Sequence, residues 1–321
     1  MIVRRVLVPP FAAGMPLASI LEQFFAPIGV RGSDIAAGLN DGSLVRVIPH
    51  AGIRLRDVTS ASFSALEMLH EDSTLAGGTP LAINMAKVAD ICTVKPPEFP
   101  ILYEDENYIG INKPPGILVH PSGGLFTWTV IDAMRSRWNT QAIGLCHRLD
   151  KDTSGILLAS KSPYVNSVAK AAFLERRVSK TYVALVEGCP LWATHDCTSR
   201  IGRAAPMDGQ EMNRMRRGVV LDPEDGQHAQ TLFRVLERFP DLNVSQMEAK
   251  PLTGRTHQIR CHLSSLKHSI VGDVLYAPPG REGAAKKSGR QRLHALKLSS
   301  DDGYWPEIEA PLPKDMLLSD W

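Results

Sequence analysis

Cysteine is scarce in this chain and never paired in sequence. Cys92, Cys146, Cys189, Cys197 and Cys261 are odd in number and form no Cys-x-x-Cys. That excludes a disulfide framework and suits reduced, mostly buried thiols of an intracellular protein. Cys189, His195 and Cys197 can be sketched as a metal cluster, but no fourth ligand stands at a suitable spacing, so no metal is expected. No apolar run is long enough to span a bilayer, and no membrane partner is expected. An excess of one charge is missing too. The net charge is +2, and residues 1–95 balance 8 Lys+Arg against 8 Asp+Glu, leaving 28 against 26. A nucleic-acid partner is permitted but not demanded, and any basic surface must come from arrangement in space. The opening residues carry Arg4 and Arg5 and no acid before Glu22, similar to a mitochondrial presequence. VRRVLVP reads better as a first strand. A cytoplasmic location is therefore expected, with a mitochondrial one as the alternative.

What is present is an ordinary globular composition: 321 residues, 44% hydrophobic and 22% charged, enough for two domains. The Pro-rich break VKPPEFP (94–100) marks the expected boundary, giving residues 1–95 and 96–321. Before it, PLASILEQFF (16–25) places Leu17, Ile20, Leu21 and Phe24 at helical spacing, and GSDIAAGLNDGSLVRV (32–47) reads as helix, turn and strand. After it, NYIGINK (107–113) alternates apolar and polar, and Thr127 opens a helix through Trp138. SPYVNSVAKAAFLERR (162–177) is a helix capped by Ser162, with Pro163 at its first position. KTYVALVEG, HAQTLFRVLERF and SQMEAKPL read as strands, and TGRTHQIRCHLSSL as a helix entered from a turn. No regular βαβ alternation is visible. The fold class expected is α+β: a mixed, largely antiparallel sheet with flanking helices.

The stretch CHRLDKDTSG (146–155) crowds His147, Arg148, Asp150, Lys151 and Asp152 against ILLASKS, a buried strand. Charges held on a loop against a rigid scaffold are where chemistry sits, although a solvated turn is the usual fate of such a cluster. Asp150-Lys151-Asp152-Thr153 matches the Asp-x-Asp-x-Thr signature of magnesium-dependent haloacid-dehalogenase-like phosphatases. That family carries its first Asp at the end of an apolar strand, which His147 and Arg148 interrupt here.

His147-Arg148-Leu149-Asp150 with Asp152-Thr153-Ser154-Gly155 also resembles the signature of the RluA-type RNA pseudouridine synthases. NKPPGILVHP (112–121), SKTYVALVEG, HAQT, LTGRTHQIRCHL (252–263), VGDVLY (271–276) and RLHALKL (292–298) are similar to further motifs of that family, in its order, over residues 100–315. Residues 10–92 are similar in layout to an S4-like RNA-binding module, here possessing no Lys or Arg in GSDIAAGLNDG. Ser269 stands where the family usually has Pro.

The resemblance implies isomerisation of a flipped-out uridine to pseudouridine in ribosomal or transfer RNA, without cofactor, by a monomer. It implies Asp150 as the carboxylate acting at the ribose, as nucleophile or as base on a glycal route. Arg260 is implied as its ion-pair partner, with Arg255 second in line, and Tyr182 as the tyrosine against the uracil. Arg148 is implied to fill the space of the extruded base, and Lys113, Ile259 and Arg255 to contact substrate. His147 is expected to be structural, and Asp152 to bond local backbone N–H groups. RNA phosphates are expected to meet Arg200, Arg203, Arg214, Arg216 and Arg217 in a long hairpin, and Lys286, Lys287, Arg290 and Arg292 near the C-terminal end. A non-catalytic RNA-binding protein of the same fold is the alternative. The retention of Asp150, Tyr182 and Arg260 together argues against it.

Overall fold

A computed structural model describes residues 3–8, 12–48, 66–70, 72–77, 79–121, 128–204, 216–220, 225–277 and 289–317. Packing groups Met1–Glu98 with Ile117–Gly144, and Phe99–Gly116 with Leu145–Trp321. The expected cut at residue 95 put 117–144 with the second part. Trp128 supplies the reason for the difference: it lies in the N-terminal core, and its indole N–H donates to the Val94 carbonyl at 2.7 Å.

The N-terminal unit contains strands β1 (Val3–Leu7), β2 (Val45–Val47), β3 (Glu67–Met68) and β4 (Pro80–Asn84), hydrogen-bonded in the order β1-β4-β2-β3 with every pair antiparallel. The RRVL segment is thus a strand. Helix α1 (Leu17–Phe25) buries Leu17, Ile20, Leu21 and Phe24, the face its spacing predicts, together with Phe25. Helix α2 (Gly32–Asn40) ends in a turn where the Asp41 carboxylate accepts the Ser43 N–H at 2.8 Å. Helix α3 (Met85–Ile91) follows β4, and α4 (Val130–Arg137) completes the unit. Thr127 lies outside the described residues. The cap of α4 is Thr129, which shares a capping box with Asp132.

The larger unit is built on a sheet of β5 (Ile101–Glu104), β6 (Tyr108–Lys113), β7 (Ser154–Ser160), β8 (Val178–Glu187), β9 (Thr194–Arg203), β10 (Arg217–Val220), β11 (Gly226–Phe239), β12 (Val244–Pro251) and β13 (Leu293–Ser300). Their order is β10-β9-β11-β12-β8-β13-β7-β6-β5, with the short β14 (Ile308–Glu309) on β13. Among these described pairs only β13–β7 is parallel, so the sheet is mixed and largely antiparallel as expected. β6 does not alternate. Five of its six residues are buried, because Trp305 packs edge-on to Tyr108 and Ile308 covers Gly110. Helix α5 (Pro163–Leu174) is capped by Ser162, whose hydroxyl accepts the Val165 N–H. Helix α6 (Gln258–Ser265) packs Ile259 and Leu263 onto the sheet. No helix among the described residues is long and apolar enough to cross a membrane.

Gly155 fixes where the charged loop joins this sheet. Its φ is +107°, and a Cβ there would stand 2.2 Å from the Ala295 carbonyl oxygen of β13. Only glycine allows β7 to start so close to its parallel neighbour. The loop before it therefore emerges from the middle of the sheet.

Candidate active site

Loop 146–153 is a tight turn: the Thr153 N–H donates to the Asp150 carbonyl, and Leu149 is buried beneath. Its far side is tied down by side chains just before and at the start of β13. Gln291 Nε2 donates to Thr153 Oγ1 at 2.7 Å, and Ser154 Oγ lies 2.9 Å from His294 Nδ1. The near side rests on His147. Its Nε2 accepts the Leu158 N–H at 3.1 Å and its ring stacks on Phe173. Burial, then the Lys180 charge, brings His147 down to about 3, so the ring is neutral and structural.

Asp150 faces an open cavity of about 420 Å³ that Tyr182, Ile259 and Arg260 also line. Arg260 Nη1 donates to Asp150 Oδ2 at 2.8 Å. The rest of that guanidinium belongs to a second acid. Arg260 Nε and Nη2 make a two-pronged pair with Asp273 at 2.6 and 2.8 Å. The Asp273 side chain is fully buried and also accepts the N–H groups of Leu275 and Tyr276. Burial alone would lower the Arg260 pKa; the Asp273 hydrogen bonds and the charges of Asp273 and Asp150 outweigh it and raise the pKa. The Tyr276 ring stacks under the cation, 5.0 Å from it.

Asp273 went unrecognised within VGDVLY. A signal for it exists: an Asp after Gly272, at φ +78°, is a turn former whose carboxylate reaches N–H groups two and three residues on. His257 was missed as well. It takes φ +58° at the start of α6, its Nδ1 lies 3.1 Å from the Tyr276 hydroxyl, and its Nε2 lies 3.8 Å from Asp150 Oδ2. Burial lowers its pKa against the pull of Asp150.

Tyr182 reaches the cavity from β8. Burial, then the Asp150 charge, pushes its phenol well above the usual range. Arg148 is exposed and donates to Thr256 Oγ1. Arg255 lines the cavity, but its Nε donates to the His228 carbonyl at 3.0 Å rather than to Asp150. Lys113 lies elsewhere. It is fully buried under the loop, its Nζ donating to the Pro114 and Lys151 carbonyls at 2.8 Å each. Asp152 meets Arg290 through its backbone carbonyl; among the described residues its carboxylate accepts no N–H of the loop.

The expected basic surface is thinner than its sequence. Arg290 is buried and doubly hydrogen-bonded to Asp315 at 2.7 Å, and Arg292 joins the same carboxylate at 3.2 Å. Arg203 and Arg217 do face each other across β9 and β10. Arg214, Lys286 and Lys287 lie outside the described residues.

The strand that follows Asp150 also decides between the two acid motifs. β7 begins after the Asp150–Thr153 turn, whereas the phosphatase signature needs its first Asp at a strand's end. A carboxylate ion-paired at the mouth of a cleft, with a buried tyrosine on the same wall, makes this cavity the candidate site for chemistry on a bound substrate. The family model described as RNA pseudouridylate synthase matches residues 107–265. The Zymomonas mobilis protein named Ribosomal large subunit pseudouridine synthase D is 32% identical over 233 residues, covering 68% of this chain and 70% of that one. The Pseudomonas aeruginosa protein of the same name is 32% identical over 333 aligned positions, covering 99% and 94%. The solved structure of Human RNA Pseudouridylate Synthase Domain Containing 1 superposes with a TM-score of 0.56 at 29% identity, covering 69% of this chain and 86% of that one. The chain belongs to the RluA-type RNA pseudouridine synthases, enzymes that isomerise uridine to pseudouridine in RNA.

Proposed function

We propose that this enzyme modifies uridines of large-subunit ribosomal RNA, and that Asp150 is the carboxylate acting at the ribose of a uridine turned into the cavity. The observation that carries the reading is the 2.8 Å contact from Arg260 Nη1 to Asp150 Oδ2 at an open cleft. A carboxylate held by one charge-assisted hydrogen bond keeps oxygen lone pairs for the sugar. It serves either as nucleophile at C1′ or as base at C2′. Arg260 is the group that fixes it, and Asp273 fixes Arg260. Tyr182 offers its ring to the uracil. With its pKa raised, it acts as a neutral phenol rather than as a phenolate base. Arg148 and Ile259, on the cavity wall, contact the base and its neighbours. The ribosomal target is supported by the names of the relatives in Zymomonas mobilis and Pseudomonas aeruginosa.

The test is a map of pseudouridines in ribosomal RNA from cells with and without the gene, repeated with Asp150→Asn in its place. The expected result is one or more large-subunit positions that vanish in both the deletion and the variant. Unchanged ribosomal positions with losses in transfer RNA would overturn the substrate. Positions retained by Asp150→Asn would overturn the assignment of the carboxylate.

A further inference from the structure

Six Lys or Arg side chains and a single carboxylate, Asp150, line the described wall of the cavity. Three of the six are engaged: Arg260 with its two acids, Arg255 with the His228 carbonyl and Arg148 with Thr256. The side chains of Lys170, Arg176 and Lys180 make no hydrogen bond or ion pair with any described residue. Glu175, the acid next to Arg176 in sequence, is already committed: it pairs with Arg177, as does Asp302.

The arrangement works against the folded chain. Lys180, half-buried on β8, has its pKa lowered by burial and then by the neighbouring Arg176 charge, with no carboxylate pulling the other way. Arg176 holds φ +63° just past the end of α5, a position where glycine or asparagine is the unstrained choice. Elsewhere the chain balances its charges closely. Repulsion gathered at one rim is relieved by a ligand that brings negative charge.

We propose that Lys170, Arg176 and Lys180 form a binding site for a phosphodiester group of the substrate strand. The inference rests on the reading of the cavity as the uridine site. A uridine whose ribose reaches Asp150 carries a phosphate on each side, and one of these meets the three cations at the cavity mouth. Neutralising that phosphate positions the strand and supplies no sequence information.

The test uses the full chain with Lys170→Gln, Arg176→Asn and Lys180→Gln, singly and together. Asparagine tolerates the left-handed backbone at 176. Binding to in vitro transcribed large-subunit ribosomal RNA is measured over a series of KCl concentrations, and pseudouridine formation is followed on the same RNA. Loss of contact with a single-stranded phosphate lowers the slope of log K against log salt by about 0.7. The triple variant is expected to lose at least that much slope and to raise KM about tenfold, with the loss falling on KM rather than kcat. An unchanged slope and KM would overturn the site, and so would a loss confined to kcat. Should Lys180→Gln fail to fold, the exposed pair Lys170→Gln and Arg176→Asn decides by the same criteria. A wild type that binds this RNA but makes no pseudouridine in it counts against the ribosomal substrate alone, because the salt slope needs no turnover.

Discussion

Two loops meet at Arg260, and they treat their aspartates in opposite ways. The turn at 270–276 buries Asp273 completely and saturates it with two guanidinium and two backbone hydrogen bonds. The loop at 146–153 leaves the Asp150 side chain 29% exposed, with one hydrogen bond from the same arginine. A fully paired buried carboxylate is scaffold; a half-paired one at a cleft is available for chemistry. Ser269 belongs to the scaffold side as well. Its hydroxyl donates to the Tyr276 carbonyl at 2.8 Å and closes the turn where the family usually has proline.

The strongest way to break this contrast is to neutralise each acid in turn. Asp150→Asn is nearly isosteric, and its loss of turnover should be at least about 10²–10⁴-fold while thermal stability and RNA binding persist. Asp273→Asn should instead lower the melting temperature, because it leaves Arg260 buried beside a single acid. Arg260→Met strands the Asp273 carboxylate and should cost about 3–5 kcal/mol by urea titration, with activity lost as well. An Asp273→Asn protein of normal stability that is catalytically dead would show that Asp273 is more than scaffold. Asp152→Asn is expected to leave activity near normal, since that residue engages the loop's anchor through its backbone.

Much of this site was readable in sequence because its motifs are local. HRLD, KTY and THQIR each carry a candidate residue within a few positions of neighbours that resemble the family's motifs, and Asp150, Tyr182 and Arg260 do line one cavity. What stayed hidden depends on partners far along the chain. Lys113, by the family resemblance, is expected to contact substrate. It is buried because the Lys151 carbonyl, thirty-eight residues on, arrives above it. Arg290 looked like part of a basic tail until Asp315 closed on it. The alternation of β6 promised one wet face, which Trp305 and Ile308 cover from the far end of the chain. Periodicity reports how a segment is composed. It is silent about what the chain later lays on top.

Tyr182 sharpens the same contrast from the substrate side. Its phenol is held neutral by burial and by the Asp150 charge, so Tyr182→Phe removes a hydroxyl and no charge. Binding should stay within about twofold of wild type, while kcat falls about 10²-fold if the hydroxyl handles a proton. With the pKa raised, wild-type kcat should show no rise through weakly alkaline pH that Tyr182→Phe abolishes. Such a rise would mean the phenolate is the working form. Unchanged turnover in the variant would confine Tyr182 to packing against the base.

The last effect, on stability and not on turnover, is expected beneath the Asp150 loop. Whereas charge anchors the Asp273 turn, Lys113 anchors this loop with an amine whose pKa falls from 10.5 to about 7, chiefly through burial, against the pull of Asp152 and Asp150. The neutral amine still has the N–H groups needed for the Pro114 and Lys151 carbonyls. Between those two pH values the unfolded chain binds a proton that the folded chain does not, so this lysine makes stability rise with pH. Below about 7 both states are protonated, and the folded protein bears the whole cost of a buried ammonium. Lys113→Met has no such group to titrate. In paired urea titrations, wild type should therefore gain on the variant as pH rises through the alkaline range. A difference that stays flat with pH would mean the ammonium remains charged under the loop, and both loops would then be anchored by charge.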